Sequence, residues 1–285
     1  MSVNTISNID REGYVEEFKV DYEREKSLLQ KCTMPATLDK ADTVVWEVVD
    51  QTDAAQEKTR DGKIPVSNLD FSRVTASPKR EYKKYQIDDF DAFKHNSNVR
   101  SMQNRKAVAA CHRAIDQLIF DQLDTATTVV NSGSAISFST YANILAWIST
   151  IENNDVPSND GKLWGVVTPT QLRQMMRINE FTSADYIGDR KLENGLPADG
   201  GYYRWLGVNW FSHTGLTGKG TSTASNFLFH TTALGHQTLG DPDAYVGWND
   251  EDDFWFNWAK VSHAAKLCLQ NGVVKAVGND SVSFS

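Results

Sequence analysis

The chain has 285 residues, enough for a sizeable core and, by length, for about two domains. Its 40% hydrophobic and 23% charged content is that of an ordinary globular protein and excludes wholesale disorder or a fibrous repeat. A formal net charge of −8 excludes a protein whose main business is coating nucleic acid, because displacing counterions takes clustered Lys and Arg.

Residues 14–31, YVEEFKVDYEREKSLLQK, set Val15, Phe18, Tyr22 and Leu29 at helical spacing. This is a narrow apolar stripe on an otherwise charged helix, so the helix must lie on its own body or on a neighbour. Pro35 ends it. DTVVWEVVD, 42–50, is rich in β-branched residues and predicts a strand. Residues 51–68 are almost wholly polar and contain the turn signal Asp61-Gly62, after which 69–87 returns as an extended, mostly polar segment. The expectation is a long two-stranded arm too poor in apolar side chains to be stable alone in water. Pro78 suits an edge strand or a bend in one. SPKREYKK, 77–84, is the densest basic stretch and is read as a solvated or partner-facing strand rather than a nucleic-acid site.

The strongest helical signal follows at 97–124, where Val108, Cys111, Ile115, Leu118, Ile119 and Leu123 repeat at helical spacing among helix-favouring alanines. Its length marks it as a structural backbone. After a polar connector, Ser139 is expected to cap a second helix with an apolar stripe of Tyr141, Ile144, Leu145 and Ile148. GKLWGVVTP, 161–169, predicts a short buried strand, with Thr168 as the cap and Pro169 the first residue of the next helix.

GYYRWLGVNWFSH, 201–213, places five aromatics in thirteen positions. It could line a ligand pocket, cross a sheet, or form a surface that another subunit covers. Apolar side chains on both alternating faces from Trp205 to His213 favour a central strand with a bulge at Gly207. The end of the chain, 254–279, predicts two or three further strands, with Asn271-Gly272 as a tight turn between them.

The usual catalytic signatures are missing. In GLTGKGTS, 215–222, Gly220 stands where a phosphate loop needs Ser or Thr, and His213 where it needs its first glycine. Asp241 with Asp243 fails the calcium-loop pattern, because Tyr245 and Val246 stand where it needs an oxygen ligand and then glycine, and the acidic run Asp250–Asp253 is read as a solvated turn or an electrostatic partner surface. His230 and His236 are six apart, and Cys32, Cys111 and Cys268 form no CxxC, so neither a metal site, a cofactor nor a disulfide framework is expected. There is no signal-peptide pattern and no apolar run long enough for a membrane span, which places the chain in the cytoplasm with no membrane partner.

The order of arm, long hairpin, backbone helix, compact middle and closing strands resembles the HK97-type fold of tailed-bacteriophage major capsid proteins. YVEEFKVDYEREKSLLQKC is similar to that family's N-terminal arm, 43–87 to its extended loop, and RSMQNRKAVAACHRAIDQLIFDQL to its spine helix. LWGVVTPTQLRQMM and GYYRWLGVNWFSHTGL look like axial-domain elements. The resemblance implies an α+β capsid fold divided as 1–40 arm, 41–90 extended loop hairpin, 91–127 peripheral-domain spine helix, 128–235 axial domain and 236–285 peripheral strands and tail. It implies a structural subunit that self-associates through hexamers and pentamers into an icosahedral shell around double-stranded DNA. Scaffold, portal and decoration proteins would be its partners, and the virion its location after assembly in the host cytoplasm. Arg73, Lys79 and Arg80 on the hairpin and Phe18 and Tyr22 on the arm are the expected inter-subunit contacts. Two alternatives stand beside it: an encapsulin-like compartment of the same fold, and an enzyme with an aromatic pocket at 201–213 and His213 as acid or base.

Overall fold

The computed structural model describes residues 25–36, 43–49, 55, 57–58, 60–64, 66, 71–88, 99–182, 202–240, 242–252 and 254–281. Phe18, Tyr22 and most of the predicted N-terminal helix lie outside the described residues. The described end of that segment departs from expectation: 25–29 hold no helix, and one 3-10 turn, Gln30–Cys32, follows. The cause is local competition. The Asp116 carboxylate takes the Leu28 and Leu29 N–H groups, and the Ser27 hydroxyl takes that of Gln30.

In chain order the elements begin with strands β1 (Val44–Val49), β2 (Phe71–Ala76) and β3 (Lys79–Asp88), then helices α1 (Val99–Leu123) and α2 (Tyr141–Glu152). Next come β4 (Leu163–Val167), α3 (Pro169–Met175), α4 (Asn179–Thr182), β5 (Tyr203–Trp205), β6 (Val208–Ser212) and β7 (Ala224–His230). The order closes with β8 (Leu234–Thr238), β9 (Asp243–Asn249), β10 (Phe254–Leu267) and β11 (Val273–Gly278). The fold is α+β, with three sheets among the described residues.

The 25 residues of α1 make a rod about 37 Å long. Ala107, Cys111, Ile115, Ile119 and Leu123 are its buried stripe. Part of the stripe covers Ala259, Val261 and Ala265 of β10, and part covers Trp164, Val166, Phe211, Phe227 and Phe229 of a second sheet, so one helix spans both bodies. That second sheet has the order β11-β7-β4-β6-β5, with β4 and β6 parallel and the other pairs antiparallel. Its opposite face, with Leu163, Val167, Trp210, Leu228 and Val274, lies under α2 and α3. A sheet covered on both faces needs strands apolar on both faces, which β4 and β7, buried along their whole length, supply.

Several sequence expectations are corrected here. The 201–213 stretch is a hairpin rather than one strand: Trp205 pairs with Val208, and Leu206 and Gly207 turn between them with φ of 52° and 76°. Two positive φ values mark the two-residue turn that suits strand twist; a leucine at the first of them hid the signal. In α2 the N-cap position is Thr140, while Ser139 bonds the Ser137 hydroxyl; Trp147 and Ile151 complete the buried face, and Leu145 is 40% exposed. Thr168 caps α3 as expected, accepting from the Gln171 N–H with Pro169 at the first helical position. Asn271-Gly272 lies in a 3-10 turn that carries the chain from β10 to β11 in the other sheet, so it closes no hairpin.

The arm also divides. β1 and β2 pair antiparallel from Val44 with Ala76 to Val49 with Phe71. Past Pro78, which has no N–H to continue a ladder, β3 leaves the arm and pairs with β10 from Lys79–His263 to Asp88–Phe254. β10 is the central strand of this sheet. Its first half pairs with β9 and its second half with β8, while β3 runs along the other side.

Candidate functional site

Two side-chain sets have the look of catalytic groups. In the first, Asp116 on α1 accepts from the Ser27 hydroxyl at 2.5 Å and from the Leu29 N–H at 3.2 Å, and faces His213 Nε2 at 3.0 Å. The Gly215 N–H donates to His213 Nδ1 at 2.8 Å, so the ring proton sits on Nε2 and points at the carboxylate. Both Ser27 and the imidazole therefore bond to the carboxylate, whereas an activated nucleophile needs its hydroxyl on the imidazole. The adjoining cavity, lined by Arg113, Gln117, Phe120 and Thr214, holds about 150 Å³, below the range of small-molecule sites. The set ties three segments, 27–29, α1 and the end of β6, into one knot.

The second set is ordered as a relay. The Thr232 hydroxyl lies 2.8 Å from His230 Nδ1, and His230 Nε2 lies 2.8 Å from Asp160. Yet the Thr232 N–H shares the same Nδ1 at 3.3 Å, which makes His230 the cap of the short turn Thr231–Ala233. Burial alone would raise the Asp160 carboxyl, but the Lys162 N–H and the His230 ring hold it below its ordinary value. Lys162 and His230 thus fix the loop before β4.

The remaining sequence candidates are structural. Asp280 accepts from Thr168 and from the Gly220 N–H, each at 2.6 Å, and so fastens the glycine loop 215–222 to α3. The acidic residues 250–252 form the exposed β9–β10 turn, with Asn249 bonded to Asp252 and to the Glu251 N–H. Burial, with the Asp116 charge beside it, pushes the Cys32 thiol well above its ordinary value, which leaves it unreactive. Among the described residues no group of three or more His, Cys, Asp or Glu could hold a metal ion, and no helix is long and apolar enough to cross a membrane.

The surface is more informative. On the arm, Ile64, Val66 and Phe71 are 72%, 88% and 73% exposed. Arg73 on β2 pairs with Glu47 on β1 at 3.1 Å, both largely in solvent. Lys79 and Arg80 stand on β3, outside the β1–β2 ladder, opposite His263 and Ser262. The arm is rooted on the β10 sheet: Val44 and Trp46 pack on Ala264, and the Trp46 ring lies against Gly235, where an added Cβ would come within 2.5 Å of it. The same sheet face carries a row of aromatics, Tyr82, Tyr245, Phe256 and Trp258. In the sequence, Phe254, Phe256, Trp258 and Lys260 alternate with Trp255, Asn257, Ala259 and Val261, and this alternation is the signal for the row.

A capsid is the context in which such surfaces make sense, and comparison with known proteins decides it: a model of the phage capsid protein family matches residues 6–277. The chain belongs to the phage capsid protein family. Its fold is similar to the capsid structure of cyanophage P-SCSP1u, with a TM-score of 0.69 at 14% identity, covering 96% of this chain and 94% of that one. A structure from Mycobacterium phage Che8 matches with a TM-score of 0.68 at 17% identity, covering 97% and 99%. The capsid of Ralstonia phage GP4 gives 0.67 at 12%, covering 99% of both chains. No curated protein sequence matches the chain. The HK97-type α+β fold expected from the order of elements is therefore the fold observed, and the protein is a structural capsid protein of the virion. The structure gives aromatic side chains of the 201–213 stretch to the core: Trp205 and Trp210 under α2, Phe211 under α1.

Proposed function

We propose that this chain is the major shell subunit of a tailed phage, closing with copies of itself, as hexamers and pentamers, into an icosahedral container for double-stranded DNA. Its work is assembly rather than catalysis. The observation that carries the reading is the arm, whose apolar Ile64, Val66 and Phe71 side chains are left in water by their own subunit. A monomer gains nothing from such a surface; a neighbour that covers it gains about 25 cal/mol per Å² of apolar area. Repetition of the contact around symmetry axes closes the shell. Arg73, Lys79 and Arg80 on the arm and β3, and Phe18 and Tyr22 ahead of the described residues, are assigned to these contacts. The net charge of −8 suits a container that must not adhere to packed DNA. Assembly in the host cytoplasm, with scaffold, portal and decoration proteins as partners, completes the reading.

Negative-stain electron microscopy of the purified protein, with and without a phage-infected lysate as a source of scaffold, tests it. Closed shells, or sheets and tubes, are expected; a persistent small oligomer in both conditions would overturn it. Lys79→Glu with Arg80→Glu should reduce assembly while the subunit keeps its circular dichroism spectrum, and normal shells from that variant would remove both residues from the contact.

A further inference from the structure

We infer that a polar cavity between α3, the segment ahead of α2 and the chain just past β11 is a binding site for a phosphate group, free or carried on a small organic molecule. The inference is independent of the shell reading. The cavity holds about 290 Å³, at the lower end of the range of small-molecule sites. Three segments far apart in sequence wall it: Ile136, Ser137 and Ser139, then Gln174 and Arg177, then Asn279. The fold brings them together. Ile136 bridges to Gly278 in parallel and its N–H donates to the Val277 carbonyl, which lays the segment ahead of α2 beside the end of β11. The Gln174 side-chain amide donates to the Asn279 carbonyl at 3.4 Å and ties α3 to the same place.

The chemistry of the wall favours an oxyanion. Among the described residues no carboxylate lines the cavity, and the exposed Arg177 guanidinium has no ion pair. Asp280, the next residue after Asn279, is engaged elsewhere by the Thr168 hydroxyl and the Gly220 N–H. The Ser137 and Ser139 hydroxyls lie 2.8 Å apart and share one hydrogen, so the other is left to donate. Asn279 spends its Oδ1 on Ser281, which leaves the two hydrogens of its Nδ2. A buried amide points the same way. Gln171, one turn before Gln174 on α3, is wholly buried, and neither its Nε2 nor its Oε1 has a hydrogen-bond partner among the described residues. It lies against Gly278 and Phe138, the chain neighbours of Asn279 and of Ser137 and Ser139, and a Cβ added at 278 would overlap it. Buried amides in folded proteins are nearly always paired. A phosphate in the cavity gives this donor an acceptor and gives Arg177 a counter-charge, in the two-point geometry that guanidinium offers to oxyanions. Ala135 and Ile136 add an apolar wall for an organic carrier.

The test is thermal unfolding of the unassembled full-length chain in rising inorganic phosphate, and in parallel in glycerol 3-phosphate, with chloride holding the ionic strength constant. The midpoint should climb with phosphate as a ligand of the folded state requires, and the dissociation constant is read from the curve. Tighter binding of glycerol 3-phosphate assigns the site to an organic phosphate; equal or weaker binding assigns it to the free anion. Arg177→Gln should weaken binding at least about tenfold, and Arg177→Lys should recover part of the loss. Whatever rise survives in Arg177→Gln is the general effect of an excluded salt. Gln171→Leu replaces the unpaired amide with an apolar side chain of similar size, so it should leave the phosphate-free midpoint no lower and still weaken phosphate binding severalfold. An equal response to acetate, or a phosphate response that Arg177→Gln leaves unchanged, would overturn the site.

Discussion

Asp116 and His213 stand 97 residues apart in sequence, yet the carboxylate Oδ2 and the ring Nε2 meet at 3.0 Å, both side chains almost wholly buried. With Ser27, Leu28 and Leu29 also bound to the carboxylate, one acid holds the N-terminal segment, the spine helix and the central part of the chain together. Asp116→Ala leaves the Ser27 hydroxyl, two N–H groups and an imidazole without their acceptor, and should cost about 3–5 kcal/mol in urea unfolding of the unassembled subunit. A loss below about 1 kcal/mol would show that the knot is ornamental.

The buried pair His236 and His263 gives the subunit an acid limit. Their rings lie 5.8 Å apart, and His263 has no hydrogen-bond partner among the described residues; the Glu81 carboxylate is 3.9 Å away, too far for a hydrogen bond. Burial depresses both to about 4, aided for His236 by His263 and for His263 by Lys79. The neutral ring is thus the folded form, and the unfolded chain binds more protons as soon as the pH drops below about 6.5. Stability should be full above that value, fall by up to about 1.4 kcal/mol per pH unit for each ring, and stop falling on this account below about pH 4. Urea midpoints from pH 4 to 8 should show this slope, and His263→Phe should roughly halve it.

Gly235→Ala should free the arm. The new methyl group would overlap the Trp46 ring that anchors β1 to the β10 sheet. Overpacking of this kind costs about 1–3 kcal/mol, here confined to the arm root. Limited proteolysis should cut between 50 and 70 several-fold faster than in the parent, while the fragment carrying α1 stays protected; equal cutting rates would show that Trp46 does not anchor the arm.

Arg73→Glu should leave the subunit's own stability within about 0.5 kcal/mol, because the Arg73–Glu47 pair is solvent-exposed on both sides. If Arg73 touches a neighbour, the same variant should lower the yield of shells severalfold. Light scattering of the assembly reaction, beside a thermal melt of the subunit, separates the two effects.

The parts of this fold that were legible in the sequence are those decided locally. The spine helix stood out because its alanines and its apolar repeat agree, and the start of α3 because Thr168 and Pro169 are both cap residues. The β5–β6 hairpin did not, since Leu206 adopts a positive φ that leucine rarely takes. The end of the arm at Pro78 was equally hidden: 71–76 and 79–88 look alike in composition, and only the arrival of β10, from almost 180 residues away, separates them. Glycines 165, 235 and 247 each make room for a ring on another strand, Trp210, Trp46 and Phe256, and no spacing rule announces such a meeting. For the surface, the sequence marks Arg80 as an expected inter-subunit contact, but the aromatic row beside it exists only once three strands are in register.

β10 pairs with β3, β8 and β9, and all three are synthesised before it. During translation, which runs at about 5–20 residues per second, a polysome therefore carries many growing chains side by side in which the β10 sheet cannot yet exist. Neither the arm's seat on Ala264 nor the aromatic row is complete until Phe254–Leu267 has left the ribosome. Both features are thus the last of the fold to form, each copy acquiring them only when it is nearly finished.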